Sequence, residues 1–167
     1  MVKKGHTDIG VICGSLNSIP ARLRFNGYYR AVSEFLLPIK PELIKIGDWE
    51  AESGCRLAKE LFGLPQRPTA IMAMNDVMAA GVIQAATESD LCIPEDVSLV
   101  GFDNREFSAY LIPNLTTMDL PLHEMGMQAM EVLSDLIEGI EEGKQVEQPL
   151  CKMIERGSVA SPNLMSR

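Results

Sequence analysis

Four short apolar runs, rich in β-branched residues, recur along the first part of the chain. They occupy residues 9–13, 43–46, 69–74 and 97–100. Runs of this length bounded by turn residues are typical of buried β-strands. Their ends fall about thirty residues apart, which is the length of one strand, one crossover helix and two short loops.

Helical periodicity follows each of the first three runs. The predicted helices span residues 22–37, 53–62 and 77–87, and Gly63 with Pro65 ends the second of them. Strands that alternate with helices through right-handed crossovers predict the α/β class. The expected fold is a doubly wound parallel sheet with helices on both faces.

The C-terminal part of the chain departs from this alternation. After "TTMDLP" the pattern predicts a long amphipathic helix at residues 122–140, followed by two strand-like pieces at 150–154 and 157–160. The apolar stripe of that helix needs a partner, which is either another domain or the sheet itself. The stripe consists of Leu122, Met125, Ala129, Met130, Leu133, Leu136 and Ile140.

The composition is ordinary for a single soluble globular domain, with 46% hydrophobic and 23% charged residues. The formal net charge is -8 and the lysines and arginines form no cluster, so this chain alone is not expected to bind DNA. No stretch approaches the roughly 20 apolar residues of a membrane span, and the first residues lack the apolar core of a signal peptide. We therefore expect a cytoplasmic protein.

The cysteines and histidines do not form a catalytic or metal-binding pattern. The four cysteines lie far apart without C-x-x-C spacing, so we expect reduced core thiols, no metal and no cofactor. They are Cys13, Cys55, Cys92 and Cys151. His6 fits packing at the turn before the first strand, and His123 lies in the first turn of a helix. With no G-x-G-x-x-G after the first strand, no P-loop and no G-x-S-x-G, the sequence does not favour an enzyme.

Side chains suited to ligand binding follow each of the four predicted strands. Arg24 lies beyond the first strand, Trp49 beyond the second, Asn75 beyond the third and Asp103 beyond the fourth. In an open parallel sheet, ligands bind at this edge. An arginine fork, an amide and a carboxylate match the hydroxyls of a sugar, and an aromatic ring packs on its C–H face. The set predicts a pocket for a polyhydroxylated ring.

Each of these residues also has a purely structural interpretation. Asp76, before "VMAAG", is predicted to be a helix N-cap rather than a ligand contact. Trp49 alone fits packing, and Asn75 alone fits a turn. Arg24 and Asp103 fit an ion pair across the sheet edge. The convergence of the set at one edge is what favours a pocket.

Seven stretches, taken in their order and spacing, resemble the effector-binding domain of the lactose-repressor and galactose-repressor (LacI/GalR) family of bacterial transcription regulators. They read "GHTDIGVICGS", "ARLRFNGYYRA", "GDWEAESG", "RPTAIMAMNDVMAAGVI", "IPEDVSLVGFDN", "LIPNLTTMDLPLHEMG" and "MIERGSVAS". The resemblance covers essentially the whole chain. It implies two lobes of the periplasmic-binding-protein-like (type I) fold, joined by three crossover strands and preceded by a helix-turn-helix and a hinge helix.

On this resemblance the chain corresponds to the C-terminal half of that effector-binding domain. Residues 1–119 and 150–161 are assigned to the C-terminal lobe, residues 120–149 to the crossover and a helix of the N-terminal lobe, and residues 162–167 to a tail. The DNA-binding head and most of the N-terminal lobe are expected to lie outside this chain.

The resemblance also implies roles for individual residues. Arg24 matches the ligand-clamping arginine, Trp49 an aromatic that stacks on the effector, Asn75 a polar contact, and Asp103 the acid that receives ligand hydroxyls; Leu120 and Leu122 complete the implied effector-binding set. Two departures bear on which sugar binds. Leu120 stands where the family often has glutamine, and Pro20 stands where it often has a small polar residue. Trp49 and Asn75 resemble the sugar-binding branch of the family more than the purine-binding branch.

A homodimer surface is predicted on the third helix and on the loop after the fourth strand. "VMAAGVIQAA" is apolar almost all round, and "FSAYLIPNL" places apolar side chains in a connection, as at an interface. In the family the corresponding segments form the two-fold contact that spaces two DNA-binding heads. The alternative is that both segments are core. The predicted interface residues are Val77, Ala80, Gln84, Phe107, Tyr110 and Leu111.

The function implied is the ligand-sensing and dimerisation domain of a bacterial transcription regulator, a repressor, with a small sugar or sugar-like effector. Operator DNA is then contacted only through the helix-turn-helix, and no membrane is involved. The alternative is a periplasmic sugar-binding protein of a transport system. That class shares the fold and requires a signal peptide.

Overall fold

The computed structural model describes residues 1–140 and 149–162. In these ranges the chain forms one six-stranded sheet, whose order is β2-β1-β3-β4-β5-β6. The first five strands are parallel to one another, and β6 runs antiparallel to β5. The strands are β1 (Ile9–Cys13), β2 (Ile44–Ile46), β3 (Ala70–Ala73), β4 (Ser98–Asp103), β5 (Thr116–Asp119) and β6 (Lys152–Ile154).

Four α-helices connect these strands, and none of the described helices is long and apolar enough to cross a membrane. They are α1 (Ile19–Glu34), α2 (Ala51–Phe62), α3 (Asp76–Glu88) and α4 (Leu122–Ile137). The Ser18 hydroxyl caps α1 by accepting a hydrogen bond from the backbone N–H of Ala21. Pro20 occupies the first turn of α1, where no intrahelical donor is needed.

The predicted α/β class and parallel sheet are confirmed, and the predicted strands and helices appear within about three residues of their expected bounds, the scatter normal at element ends. Two details differ. β5 was not predicted as a strand, and residues 157–160 do not form one. Residues 157–160 are held by isolated bonds rather than by a strand ladder. The Leu99 N–H donates to the Ser158 carbonyl, and the Ser158 hydroxyl donates to the Leu99 carbonyl and accepts from the Thr116 N–H.

Helices α2 and α3 cross in close contact at two glycines. A Cβ on Gly54 would lie 2.3 Å from the Met78 carbonyl oxygen, and a Cβ on Gly81 would lie 2.0 Å from the Ala51 carbonyl oxygen. The apolar character of α3 on several sides is therefore explained in large part by β3, β4 and α2 of the same chain. The α3 residues predicted for a subunit contact, Val77, Ala80 and Gln84, are not among the buried residues of this helix, and the dimer surface stays a prediction.

Helix α4 contributes no buried residue to the described part of the chain. Its apolar side chains are exposed, among them Leu122 at 62%, Met130 at 63% and Leu136 at 64%. The alternative that this helix folds back on the sheet is therefore wrong. The domain assignment of residues 120–149 and of the tail stays a prediction, since residues 141–148 and 163–167 lie outside the described ranges.

The thiol prediction holds for only part of the set. All four cysteines are free, but only Cys13 belongs to the core, where burial raises the pKa of its thiol to about 12. Cys55 is half-buried, and Cys92 and Cys151 are exposed. The prediction of a core thiol is therefore wrong for Cys92 and Cys151, although both have apolar neighbours in the sequence.

His6 is a buried structural residue at the entry to β1, as expected. Its Nε2 lies 2.8 Å from the Ala160 carbonyl oxygen and its Nδ1 lies 3.0 Å from the Thr69 hydroxyl. The carbonyl requires Nε2 to donate, and in the neutral form of the ring Nδ1 is then the acceptor. Burial lowers the pKa of His6, which favours the same neutral form.

Candidate functional site

Arg24 and Asp103 form a partly buried ion pair at the carboxyl edge of the sheet. Nη2 of Arg24 lies 3.0 Å from Oδ1 of Asp103, and their side chains are 15% and 23% exposed. The other terminal nitrogen of Arg24 donates to the carbonyl of Met74, just past β3. The ion pair foreseen as the structural alternative is thus present, and it also presents a fixed donor fork beside a carboxylate.

Two aromatic rings flank the Arg24 guanidinium. Its Cζ lies 3.9 Å from the ring centroid of Phe102 and 5.5 Å from that of Trp49. Both distances are within the range of cation–π attraction. Sequence reasoning placed Trp49 here but missed Phe102, whose only signal was its position beside Asp103 at the end of a buried strand.

The indole of Trp49 lies directly against Gly14, the residue that follows β1. A Cβ on Gly14 would lie 2.0 Å from Cε2 of Trp49, so only glycine leaves room for the ring. Trp49 itself has a φ of 80°, in the left-handed region that non-glycine residues rarely adopt. Such a conformation persists when surrounding contacts fix it, and it is frequent at ligand sites.

Asn75 supplies one of those contacts and also begins α3. Its Nδ2 donates to the Trp49 carbonyl oxygen at 2.9 Å, and its Oδ1 accepts from the Met78 N–H at 2.8 Å. Asn75 is therefore the N-cap of α3, and the prediction that Asp76 fills this position is wrong. The role of Asn75 as an effector contact remains a prediction.

Asp76 is fully buried and braces the end of β4. Its Oδ2 accepts from the backbone N–H of Arg105 at 2.8 Å, and its Oδ1 accepts from the Thr117 hydroxyl at 2.6 Å. Burial raises the pKa of Asp76 while these hydrogen bonds oppose the rise. A Cβ on Gly101 would lie 2.2 Å from Oδ1 of Asp76, so a glycine is required for this approach.

The turn that Asp76 braces has two consecutive residues with positive φ. Asp103 has a φ of 111° and Asn104 has a φ of 52°. This turn brings the Asp103 carboxylate to Arg24. Burial raises the pKa of Asp103, and the adjacent Arg24 charge works in the opposite direction.

Four of the six predicted effector-binding residues are therefore gathered at one edge of the sheet: Arg24, Trp49, Asn75 and Asp103. No described hydrogen bond or ion pair joins Leu120 or Leu122 to this group. Leu120 is half-buried just after β5, and Leu122 is exposed at the start of α4. Within residues 1–140 and 149–162, no group of three or more histidine, cysteine or acidic side chains could hold a metal ion.

Comparison with known proteins gives one consistent family. The periplasmic binding protein-like domain family matches residues 1–159. The HTH-type transcriptional repressor PurR of Proteus mirabilis is 38% identical over 160 residues, which are 96% of this chain and 47% of that protein. The chain thus spans about half the length of the curated relatives it matches.

Solved structures agree with this match. A sugar-binding transcriptional regulator of the LacI family from Escherichia coli, complexed with phosphate, has a TM-score of 0.85 and 29% identity, over 96% of this chain and 58% of that one. The Lac repressor dimer bound to operator and the anti-inducer ONPF has a TM-score of 0.86 and 32% identity, over 95% of this chain and 55% of that one.

Proposed function

Since this chain belongs to the periplasmic binding protein-like domain family, we propose that it forms the C-terminal lobe of the effector-binding region in a LacI/GalR-type bacterial transcription repressor. The observation that carries the proposal is the Arg24–Asp103 pair, flanked by Trp49 and Phe102 at the carboxyl edge of the sheet. Relatives named as transcriptional repressors support it. The lobe senses a ligand and catalyses no reaction.

A second lobe completes the protein in this proposal. The chain covers about half of its curated relatives, and α4 exposes an apolar face in the described part of the chain. A continuous stripe of exposed apolar side chains indicates an interaction surface. We assign residues 1–119 and 150–161 to this lobe, and α4 to the packing of the other lobe.

The proposed effector is a sugar or a sugar-like polyol. Arg24 offers two donors in one plane, Asp103 offers acceptors only, and adjacent ring hydroxyls both accept and donate. Trp49 supplies an apolar ring face for the C–H side of a sugar. A neutral polyol that hydrogen-bonds to both Arg24 and Asp103 leaves neither charge without a polar partner, which an apolar ligand does not achieve.

The direct test is calorimetric titration of the two-lobed domain with D-glucose, D-galactose, D-ribose, lactose and sucrose, with the purine bases adenine and hypoxanthine as the contrasting class. Binding of one sugar in the micromolar range supports the proposal. Binding of the bases alone contradicts the sugar assignment while leaving the regulator assignment in place.

The 167-residue chain alone is expected to bind the same sugar far more weakly than the two-lobed domain. Half a cleft leaves one face of the ligand in water, whereas a typical site buries roughly 70 to 90% of the ligand surface. Titration of both proteins side by side measures the difference. Sub-millimolar affinity of residues 1–167 would show that the pocket is complete within this chain.

We further propose that the protein is a homodimer, which holds two DNA-binding heads at the spacing of a palindromic operator. Val77, Ala80 and Gln84 lie three or four residues apart on α3 and are among its less buried positions. In the connection between β4 and β5, Tyr110 is 76% exposed and Ile112 is 89% exposed. Phe107 is also exposed and Leu111 is half-buried, so apolar surface at this loop is left for a partner.

Introducing charge at this surface is expected to produce monomers. Leu111→Lys combined with Ala80→Glu places unpaired charges in an apolar contact, where their desolvation is unfavourable. Sedimentation of the two-lobed domain at micromolar concentration measures the change. Leu36→Lys with Ser33→Glu, at exposed positions on and just after α1, is the matched control. A variant that stays dimeric would contradict the proposed interface.

The transport-protein alternative has less support. The structures and curated proteins described above are transcription regulators by name, which supports a regulator that works in the cytoplasm. The gene sequence upstream of Met1 separates the two proposals, because a regulator carries a helix-turn-helix there and a transport protein carries a signal peptide.

A further inference from the structure

Arg156, which follows β6, is hydrogen-bonded to three separate segments of the fold. Its Nη2 lies 2.8 Å from Oδ1 of Asn104, and its Nη1 lies 2.7 Å from the Leu115 carbonyl and 3.1 Å from Oγ of Ser108. Its backbone N–H donates to the Thr116 hydroxyl at 2.9 Å. The guanidinium is thus fixed by several acceptors at once, in the planar fork geometry that a lysine does not provide.

Asn104, the residue that Arg156 holds, comes directly after Asp103 in the positive-φ turn. Its side-chain amide is fixed at both ends, since Nδ2 donates to Oδ1 of Asp119 at 2.8 Å while Oδ1 accepts from Arg156. On the other side of the turn, Asp76 accepts from the Arg105 N–H. The two residues with unfavourable φ values are therefore clamped between α3 and the returning C-terminal segment.

A conformation of this kind is maintained only when its surroundings determine it. Loss of the Arg156 contact leaves the turn held by the bonds from Asn104 to Asp119 and Thr117 and by the bond from the Arg105 N–H to Asp76. With one bond fewer, the backbone at residues 103–104 relaxes more readily toward ordinary φ values, and such a change turns the Asp103 carboxylate away from Arg24. Arg156 has no described contact with Arg24, Trp49 or Asp103 itself. Its influence on the pocket passes through the backbone of the turn.

We propose that Arg156 is a positioning residue that, through Asn104, holds the turn aiming the Asp103 carboxylate at Arg24. The proposal rests on the proposed function in one respect only, namely that Asp103 contacts the effector. The geometry of the turn is independent of which ligand binds.

The first test uses no ligand. Amide hydrogen exchange is measured in the 167-residue chain for wild type, Arg156→Gln and Arg156→Lys, together with acrylamide quenching of Trp49, the single tryptophan. In Arg156→Gln we expect at least tenfold faster exchange at Asn104 and Arg105, altered Trp49 quenching, and unchanged exchange in β1. Arg156→Lys restores part of the protection, since an ammonium reaches some of the acceptors.

The matched control is Arg22→Gln. Arg22 also donates to two backbone carbonyls, those of Leu16 and Asn17, but far along the chain from the turn. It should leave exchange at residues 104–105 unchanged. Equal acceleration in β1, β3 and the turn of Arg156→Gln would mean a general structural role and overturn the proposal, as would unchanged exchange at the turn.

The second test separates this proposal from the proposed function. In the two-lobed domain, Arg156→Gln should weaken binding of the tightest panel sugar about tenfold, while Arg22→Gln does not. Equal affinity of Arg156→Gln and wild type overturns the positioning role but not the site. Faster exchange at the turn in a protein that binds no sugar supports the positioning role and contradicts the sugar site.

Discussion

Arg24→Ala is expected to abolish effector binding by the two-lobed domain while leaving the fold intact. Each hydrogen bond from the guanidinium to a ligand hydroxyl is charge-assisted and contributes ~1.5 to 3 kcal/mol. Losing two of them weakens binding by about a hundredfold or more, which moves a micromolar ligand out of the measurable range. The fold survives because Asp103, left without its partner, is 23% exposed and still reaches water.

Calorimetry with the sugar selected from the panel measures the loss, and thermal unfolding checks the fold. Arg22→Ala is the control, since Arg22 lies two residues away on the same helix and its described hydrogen bonds go to loop carbonyls. Asp103→Asn should weaken binding less, because the amide keeps one acceptor. Unchanged affinity in Arg24→Ala would remove the proposed site.

Gly81→Ala is expected to lower the free energy of unfolding by ~1 to 3 kcal/mol or more, although alanine is the better helix former. Its Cβ would lie 2.0 Å from the Ala51 carbonyl oxygen and 2.7 Å from the Cys55 nitrogen. Both neighbours are backbone atoms of α2, so no side-chain rotation relieves the overlap and the two helices must separate. Urea unfolding of the 167-residue chain measures the change.

Gly27→Ala is the control for this substitution. Gly27 lies inside α1, and a Cβ there meets nothing within 4 Å. Only the helix propensity then acts, so the variant should gain roughly 0.5 to 1 kcal/mol in the free energy of unfolding. If Gly81→Ala stabilised the protein as much as Gly27→Ala, the close contact described between α2 and α3 would be contradicted.

The sequence predicted the sheet because its buried strands are continuous apolar runs, a pattern that parallel sheets covered on both faces produce. The apolar pattern did not predict β5, because its sequence, "TTMD", is mostly polar. Thr117 is fully buried there, but its hydroxyl donates to Asp76, a partner 41 residues away. Periodicity reports burial of apolar side chains, and it does not register a polar residue whose partner is distant in sequence.

The candidate site was predictable to the extent that it follows from strand topology. The carboxyl ends of parallel strands meet at one edge, so Arg24, Trp49 and Asp103 were placed there without coordinates. The N-cap of α3 was not decided correctly, because asparagine and aspartate are both good caps and stand side by side in "MND". Burial of Asp76 against β5 settles the choice, and this contact is tertiary.

The same limit of sequence reasoning applies to Phe102 and Arg156 at the candidate site. Neither residue type at its position indicates a ligand site, since Phe102 reads as strand core and Arg156 as a surface charge. Their relevance comes from distances across the fold, 3.9 Å from Phe102 to Arg24 and 2.8 Å from Arg156 to Asn104. The surroundings of a pocket are assembled by elements far apart in sequence, and local patterns do not reveal them.

The C-terminal segment, residues 149–162, also determines when this sheet is able to form completely. Ala160 bonds to His6 across 154 residues, Ser158 to Leu99 across 59, and Ser158 to Thr116 across 42. On the ribosome, β5 emerges early and remains an open edge until β6 has been synthesised, and exposed edges of this kind invite pairing with other chains. Contacts this distant in sequence raise the contact order and slow folding. In a chain that stops before residue 152, β5 pairs with β4 alone and its outer edge stays open, and the ring of His6 lacks its carbonyl acceptor.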